Sequence, residues 1–255
     1  MILTIDIGNS YLKAACFDNN INNCFFFKCL SETLTRQKKF LNLLQQFFSS
    51  NHINTAALKS VYFISVKPSL NKHLIKVLKQ FKLQPVMVTT DDLKHYIGNY
   101  SGTPGVDRII AIAGIKHLYS FPAVVIDFGT AITIDYFNEK SYFAGGMILP
   151  GIKTAFDSIR FRTELIKKTT CVPPEKILGH TTAQAVNSGI FTVYTEGIAA
   201  AIRKIIKTKN NTLRPAAVIA SGGEAAIGRD YIKEIKIYEP QLILKSLFFY
   251  SQKKI

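Results

Sequence analysis

Cysteine is scarce in this chain, and its scarcity excludes a fold held together by disulfide bonds. Among 255 residues there are four cysteines, Cys16, Cys24, Cys29 and Cys171, which are too few and too scattered for a disulfide framework. Cys24 and Cys29 flank the strand-like segment Phe25-Phe26-Phe27-Lys28. Because no matching Cys/His pair occurs elsewhere in the sequence, we do not expect a zinc site.

Long apolar runs are also missing from the sequence. No hydrophobic stretch reaches the roughly 18 residues that a membrane span needs. The N-terminus begins with a strand-like run that contains an acid, in place of the basic segment and small-residue cleavage site of a signal peptide. We therefore expect a cytoplasmic protein that does not associate with a membrane.

Acidic residues are outnumbered by basic ones. The chain has 17 Asp and Glu against 32 Lys and Arg, a formal net charge of +15. A basic balance can indicate nucleic-acid binding. Here the charge is dispersed, most of it is lysine on predicted amphipathic helices, and no known nucleic-acid motif accompanies it. The pattern argues against a nucleic-acid partner and favours an attraction for anionic substrates such as nucleotides.

Two common nucleotide-binding fingerprints are absent. No G-x-G-x-x-G opens a helix after a strand, and no G-x-x-x-x-G-K-[ST] occurs anywhere in the chain. These absences exclude a dinucleotide-binding Rossmann domain and a P-loop.

The chain instead carries one short pattern twice. An apolar run leads into Asp6-Ile7-Gly8-Asn9-Ser10, and a second leads into Asp127-Phe128-Gly129-Thr130-Ala131. Each copy predicts a buried strand that ends in an acid and a Gly-polar turn. A carboxylate and backbone N–H groups at such a turn suit a metal-bound phosphate. One copy in each half predicts two related domains facing each other across a nucleotide, and hence an ATP-dependent phosphotransferase.

Both halves also predict the same order of elements. Each begins with three strands, after which helices alternate with strands. The predicted strands are Ile2–Ile7, Tyr11–Asp18 and Cys24–Leu30 in the first half and Ala123–Asp127, Ile132–Phe137 and Ser141–Met147 in the second. A further helix is predicted from Leu242 to Ser251. The order predicts a duplicated α/β fold with mixed sheets.

Six ordered motifs resemble those of one known family. They are Asp6 to Ser10 with Lys13, Gly105-Val106-Asp107-Arg108, Asp127 to Asp135, Gly145 to Gly151, Thr182 with Ala185 and Gly189, and Ser221-Gly222-Gly223. Together they resemble type III pantothenate kinase, of the acetate/sugar kinase–Hsp70–actin superfamily, over essentially the whole chain. The resemblance implies duplicated ribonuclease H-like (actin-like ATPase) domains, residues 1–118 and 119–255, with mixed β-sheets and flanking helices.

The resemblance also implies an activity. It is the ATP-dependent phosphorylation of pantothenate to 4′-phosphopantothenate, the first step of coenzyme A biosynthesis. The family's cofactors would be Mg²⁺ with the ATP and a monovalent cation, K⁺ or NH₄⁺, and the protein would be a homodimer with its site at the interface. Two alternatives stay open: a same-fold kinase for another small acceptor, and a non-catalytic regulatory accessory factor. The presence of Asp6, Asp107 and Asp127 together argues against the second alternative.

The family's nucleotide residues map onto the two repeated turns. The ATP-binding positions are Asp6, Ile7, Gly8, Asn9, Ser10, Tyr11, Leu12, Lys13 and Thr130. Asp6 would lie near Mg²⁺–ATP, and Asp127 would bind the monovalent cation. Gly8 has no Cβ, so the backbone can approach phosphate oxygens closely. The structural alternatives are an ordinary hairpin whose turn is capped by an acid, and a solvent-facing Lys13.

The family's acceptor residues map onto a helix start and two outlying positions. The substrate-binding positions are Tyr100, Gly105, Val106, Asp107, Arg108 and Thr182, with Asp107 as the catalytic base. Thr103 is predicted to cap the helix and Pro104 to be its first residue, which puts Asp107 and Arg108 in the first turn. Alternatively, a first-turn acid only complements the helix macrodipole and pairs with Arg108.

Tyr100 and Thr182 are the outlying positions. Tyr100 resembles a tyrosine that lines the family's pantothenate pocket, and Thr182 resembles a residue that reaches the substrate across the dimer interface. The alternatives are a surface tyrosine in a loop and a helix cap. The segment from Tyr100 to Asp107 is shorter than in the family, so this loop is expected to follow a different path.

Overall fold

Two five-stranded mixed sheets form the framework of the protein. The computed structural model describes residues 1–18, 20–164, 166, 169–209 and 216–252. The chain divides into a first unit, Met1–Tyr119 with the segment from Gln241 onward, and a second unit, Ser120–Pro240. Among the described residues there is no helix with the length and apolar character needed to cross a bilayer.

The first unit is built around strand β1. Its elements are β1 Ile2–Ile7, β2 Tyr11–Phe17, β3 Cys24–Leu30, α1 Gln37–Ser50, β4 Ser60–Ser65, α2 Asn71–Gln80, β5 Pro85–Met87, α3 Val106–Leu118 and, after the second unit, α7 Leu242–Ser251. The strand order is β3-β2-β1-β4-β5. The first three strands are antiparallel, whereas β4 is parallel to β1 and β5 is parallel to β4.

The second unit repeats this plan. Its elements are β6 Ala123–Phe128, β7 Ala131–Phe137, β8 Phe143–Pro150, α4 Ile152–Arg162, α5 Thr182–Lys209, β9 Ala217–Ser221, α6 Ala225–Tyr231 and β10 Ile237–Tyr238. The strand order is β10-β9-β6-β7-β8, with antiparallel β6, β7 and β8 and with β9 and β10 parallel to β6. In both sheets the first strand is central, so the predicted duplicated α/β fold with mixed sheets is confirmed.

Strand β1 is covered by helices on both faces. Leu3, Ile5 and Ile7 are fully buried in the core formed with α1 and α2. On the other face Ile2 packs with Phe248 of α7. Burial on both faces explains why the strand is a nearly continuous apolar run instead of an alternating one. Each such side chain contributes about 1.5–3 kcal/mol of hydrophobic stabilisation, which holds the strand's polar end in a fixed place.

Helix α7 has the bounds predicted from the sequence, Leu242–Ser251. The expected domains, residues 1–118 and 119–255, place this helix in the second half of the chain. In the structure α7 packs against α3 and β1 of the first unit. At the α3 contact Ser246 Oγ accepts a hydrogen bond from the Gly114 amide at 3.1 Å. A Cβ on Gly114 would overlap Ser246 Oγ and lie 2.8 Å from Leu242 Cδ1. The glycine thus permits the close approach of the two helices.

The predicted start of α3 is wrong by two residues. Gly105, not Thr103, is the N-cap, no side chain caps the helix, and Pro104 lies before it. The reason is a contact outside the helix, because Thr90 Oγ1 donates to the Pro104 carbonyl at 3.1 Å. Within the first turn, the amides of Arg108 and Ile109 donate to the Gly105 carbonyl. Asp107 nevertheless stays in the first turn.

Candidate active site

The turn after β1 depends on Gly8 for its closure. The Gly8 amide donates to the Tyr11 carbonyl at 3.0 Å, and a Cβ on Gly8 would lie 2.9 Å from that same oxygen. Any other residue would therefore force the turn apart. Asp6, at the end of the strand, is 8% exposed, and its cross-strand neighbour on β2 is Lys13.

Three carbonyls of this turn are held by donors from elsewhere in the first unit. Ser31 donates through Oγ to Gly8 O at 2.7 Å and through its amide to Ser10 O at 2.9 Å. Lys67 Nζ lies 3.5 Å from Asn9 O. These hydrogen bonds to the loop carbonyls fix the conformation of the loop. Sequence reasoning missed Ser31 and Lys67, because both are distant in sequence and belong to no recognisable motif.

The other predicted nucleotide residues divide by burial. Ile7 and Leu12 are fully buried in the core, so only their backbone is available to a ligand. Tyr11 is exposed, and the ammonium of Lys28 lies 4.1 Å from its ring centroid. Lys13 is half-buried beside Asp6 on the same face of the sheet, because directly opposed residues of antiparallel strands are close neighbours. This position differs from the solvent-facing alternative.

The first turn of α3 holds the predicted base. Asp107 is half-buried, and its Oδ1 accepts from the Arg108 amide at 3.0 Å, so the carboxylate complements the positive end of the helix. A Cβ on Gly105 would overlap this Oδ1, and the glycine therefore leaves room for the carboxylate. Arg108 is 8% exposed and Val106 is buried, which ties the turn to the core.

The turn after β1 and the start of α3 lie at the same edge of the first sheet. Strands β1, β4 and β5 are parallel, and the turn of Asp6 follows the carboxyl end of β1. Thr90 follows the carboxyl end of β5 and holds Pro104, directly before α3. In open α/β sheets this edge is where ligands bind. Tyr100 lies in the loop before α3, half-buried, with its amide donating to Gly98 O at 2.8 Å.

The turn after β6 resembles the first copy but has different neighbours. Asp127 is opposite Thr133 on β7 and Ser221 on β9. Gly222 has φ +94°, and a Cβ there would overlap Asp127 Oδ1. Ser221 Oγ is buried and has no hydrogen-bond partner among the described residues. A carboxylate beside an unsatisfied hydroxyl is a pair of oxygen donors that suits a hard cation.

The N-terminal end of helix α4, with its N-cap Gly151, packs against the same turn. The Thr130 carbonyl accepts from the Gly151 amide at 2.9 Å and from Thr154 Oγ1 at 2.7 Å. A Cβ on Gly151 would overlap the Gly129 carbonyl. The last glycine of the motif Gly145 to Gly151 is therefore required for packing against the turn. Thr130 itself is exposed.

Thr182 is the first residue of α5 and is exposed. The helix is capped by its neighbour: Thr181 Oγ1 accepts from the Gln184 amide at 3.2 Å. In return, Gln184 Oε1 accepts from the His180 amide at 2.9 Å, an arrangement close to a capping box. Because Thr181 takes the capping role, the alternative reading of Thr182 as a helix cap loses its basis.

The metal chemistry of these sites is limited by their donors. Among the described residues no group of three or more His, Cys, Asp or Glu side chains could hold a metal ion. A divalent ion here would therefore depend on phosphate oxygens and water besides one or two carboxylates, which is the usual environment of Mg²⁺ at nucleotide sites. Asp6 offers such a carboxylate.

Similar proteins of known family were found over nearly the whole chain. A type III pantothenate kinase from Finegoldia magna is 27% identical over 250 residues, covering 97% of this chain and 95% of that protein. A type III pantothenate kinase from Persephonella marina is 30% identical over 254 residues, covering 97% of each.

Solved structures share the fold. A Campylobacter jejuni protein described as a Baf family transcriptional activator gives a TM-score of 0.58 at 22% identity, covering 99% of this chain and 98% of that chain. The ethanolamine utilization protein EutJ from Carboxydothermus hydrogenoformans gives a TM-score of 0.54 at 11% identity, covering 97% and 89%. At these identities the likeness establishes the fold alone.

The sequence model of one family covers most of the chain. The model described as type III pantothenate kinase matches residues 2–206, which include the turns of Asp6 and Asp127, the start of α3 and Thr182. The chain therefore belongs to the type III pantothenate kinase family.

Proposed function

We propose that this protein phosphorylates pantothenate with ATP, giving 4′-phosphopantothenate and ADP in the first step of coenzyme A biosynthesis, and that it does so in the cytoplasm. The proposal rests on what lies at the carboxyl edge of the first sheet. There the phosphate-type turn of Asp6 and the helix start with Asp107 and Arg108 lie at the same end of parallel strands. A phosphate donor and its acceptor need such adjacent sites.

Asp107 is the proposed base. Its carboxylate accepts the proton of the primary hydroxyl of pantothenate while that oxygen bonds to the γ-phosphorus. The bond from the γ-phosphorus to the bridging oxygen breaks, and its electron pair leaves with ADP. Most of the barrier reduction comes from positioning and charge neutralisation. Arg108, a fixed planar cation, holds the pantothenate carboxylate or a carbonyl, and Tyr100, Gly105 and Val106 line the acceptor pocket.

The phosphates of the nucleotide are assigned to the turn of Asp6, where Asp6 to Lys13 surround them. Thr130, at the same position of the second copy of the turn, is proposed as a further nucleotide-binding residue. Asp6 would hold Mg²⁺ together with phosphate oxygens and water. The ion, when bound, would neutralise part of the phosphate charge. The lysine ammonium of Lys13, beside the buried Asp6, adds a second positive charge.

The monovalent cation is assigned to Asp127. The unsatisfied Ser221 hydroxyl next to this carboxylate supports an oxygen-coordinated ion such as K⁺, with NH₄⁺ as the alternative. When bound, the cation would supply positive charge beside the Asp127 carboxylate. Gly222 leaves room for the carboxylate in this position, because a Cβ there would overlap Asp127 Oδ1.

A homodimer with its site at the interface is proposed from the exposed face of α5. Gly189, Val193 and Gly197 are spaced by four residues and so share one helix face. Val193 is 69% exposed, and a Cβ on Gly189 or Gly197 would meet no atom within 4 Å. An interior helical glycine costs about 1 kcal/mol relative to alanine, and no contact among the residues that the structure describes offsets that cost. Close packing against α5 of a second copy would offset it, and Thr182 lies on the same face.

The test is an assay of the purified protein with ATP, Mg²⁺ and pantothenate in K⁺, NH₄⁺ or Na⁺ buffer. ADP release is followed by a coupled assay, and 4′-phosphopantothenate is identified by mass spectrometry. We expect turnover in K⁺ or NH₄⁺ and its loss in Asp107→Asn, which keeps the size of the side chain. Absence of turnover in every cation would contradict the proposal.

The shortened segment from Tyr100 to Asp107 favours testing a second candidate, a same-fold kinase for another small acceptor. A screen of sugars, short carboxylates and polyphosphate, measured by ADP release, decides between the two. If one of these acceptors gives a higher kcat/KM than pantothenate, the acceptor assignment changes while the phosphotransferase assignment stands.

A further inference from the structure

Lys67 is a basic residue at the carboxyl edge of the first sheet that no motif includes. It follows β4, and the Val66 amide extends the pairing by donating to the Ile7 carbonyl at 3.0 Å. The Lys67 amide donates to Ser65 Oγ at 3.1 Å. These bonds fix the Lys67 backbone next to the turn that follows β1.

The Lys67 side chain is directed at that turn. Its Nζ lies 3.5 Å from Asn9 O and 3.9 Å from Glu32 Oε1, and the side chain is 30% exposed. The Glu32 side chain is 83% exposed, and an ion pair with so exposed a partner contributes little, because water and salt screen it. The ammonium is therefore held at the turn without being neutralised there.

The charge of the proposed ligand explains such a placement. The phosphates of ATP carry several negative charges, and the turn already places the buried Asp6 carboxylate close to them. Lysine is a compact point charge on a flexible stem, and it binds phosphate by moving its ammonium to the oxygens. The ammonium would lose only the long, weak contact with Asn9 O, and the loss of that contact costs little free energy.

We propose that Lys67 binds the phosphate chain of the nucleotide at the turn of Gly8 to Ser10. The inference rests on the proposed function, since that function assigns the turn to ATP. A competing role is structural: Lys67 could only bridge Glu32 and Asn9 and so hold the loop. The two roles predict different effects of removing the ammonium. Loss of a phosphate contact weakens the binding of anionic ligands alone, whereas disorder of the loop weakens the binding of every ligand.

The experiment is calorimetric titration of ATP, ADP and adenosine, with Mg²⁺ and without pantothenate, into four variants and the wild type. In Lys67→Met we expect the Kd of ATP to rise about tenfold, equal to ~1.4 kcal/mol, with a smaller rise for ADP and none for adenosine. Lys67→Arg should restore most of the ATP affinity. Glu32→Gln should leave it unchanged or tighten it, because a competing carboxylate is removed. Lys72→Met, an exposed lysine on α2, is the matched control.

Equal losses for ATP and adenosine in Lys67→Met, or a loss in Glu32→Gln, would show the structural role and overturn the proposal. No change in the Kd of ATP would overturn it as well. Thermal melts of each variant identify unfolding as a cause. Pantothenate turnover by the wild type is measured separately, so failure of the pantothenate assignment with intact ATP binding leaves the Lys67 result decisive.

Discussion

Gly222 offers a quantitative test of how the Asp127 carboxylate is held. Its φ is +94°, and a Cβ would overlap Asp127 Oδ1 and lie 2.8 Å from the Phe128 amide nitrogen. Gly222→Ala therefore adds backbone strain of about 1–2 kcal/mol and overpacking of about 1–3 kcal/mol. The expected loss of stability is roughly 2–4 kcal/mol, the sum being reduced by relaxation of the carboxylate.

The chain contains a matched control for the backbone term. Gly102 has φ +89°, and a Cβ there would meet nothing within 4 Å. Gly102→Ala should therefore cost only about 1–2 kcal/mol. At roughly 2–4 °C per kcal/mol for a protein of this size, we expect Tm to fall by about 4–16 °C for Gly222→Ala and by about 2–8 °C for Gly102→Ala.

The assay is thermal unfolding followed by circular dichroism in K⁺ and in Na⁺ buffer. The wild type and Gly102→Ala should be stabilised more by K⁺ than by Na⁺, whereas Gly222→Ala should lose this difference because its Asp127 is displaced. Equal Tm losses for the two alanine variants would refute the steric part of the reasoning. A K⁺ effect that persists in Gly222→Ala would refute the placement of the cation at Asp127.

Four further perturbations test other parts of the structure. Asp107→Asn should lower kcat by about 10²–10⁴, the usual contribution of a general base, with a loss of stability of no more than about 1 kcal/mol from the charge removed at the helix N-terminus; a kcat near the wild-type value would reject Asp107 as the base. Gly114→Ala should destabilise the protein by about 1–3 kcal/mol through overpacking against Ser246, as measured by urea unfolding, and an unchanged midpoint would argue against the close α3–α7 contact. Val193→Glu should convert a dimer to a monomer in sedimentation velocity and reduce pantothenate turnover, whereas a dimer that persists would exclude α5 as the interface. Thr182→Ala should remain a dimer in sedimentation velocity and should raise the KM for pantothenate in the kinase assay. An unchanged KM would remove Thr182 from the acceptor site.

Sequence reasoning was most reliable where the signal was local. The turns of Asp6 and Asp127 each consist of an apolar strand, an acid and a glycine in direct succession, so their geometry follows from neighbouring residues. The equal order of strands in the two sheets follows from the same repetition. Gly8 could likewise be recognised as a position where the backbone needs a residue without a Cβ, although the Tyr11 carbonyl that requires it could not be named.

The sequence by itself thus determined the duplicated fold, the family and the positions of the acidic turns, because those depend on short patterns. Tertiary structure decided what long-range contacts control. Thr90 sets the start of α3 by holding Pro104, α7 returns to the first unit because its apolar face fits β1 and α3, and Lys67 reaches the turn of Asn9 from a different strand. Such contacts join residues far apart in the chain, and their geometry depends on how the sheet brings its strand ends together.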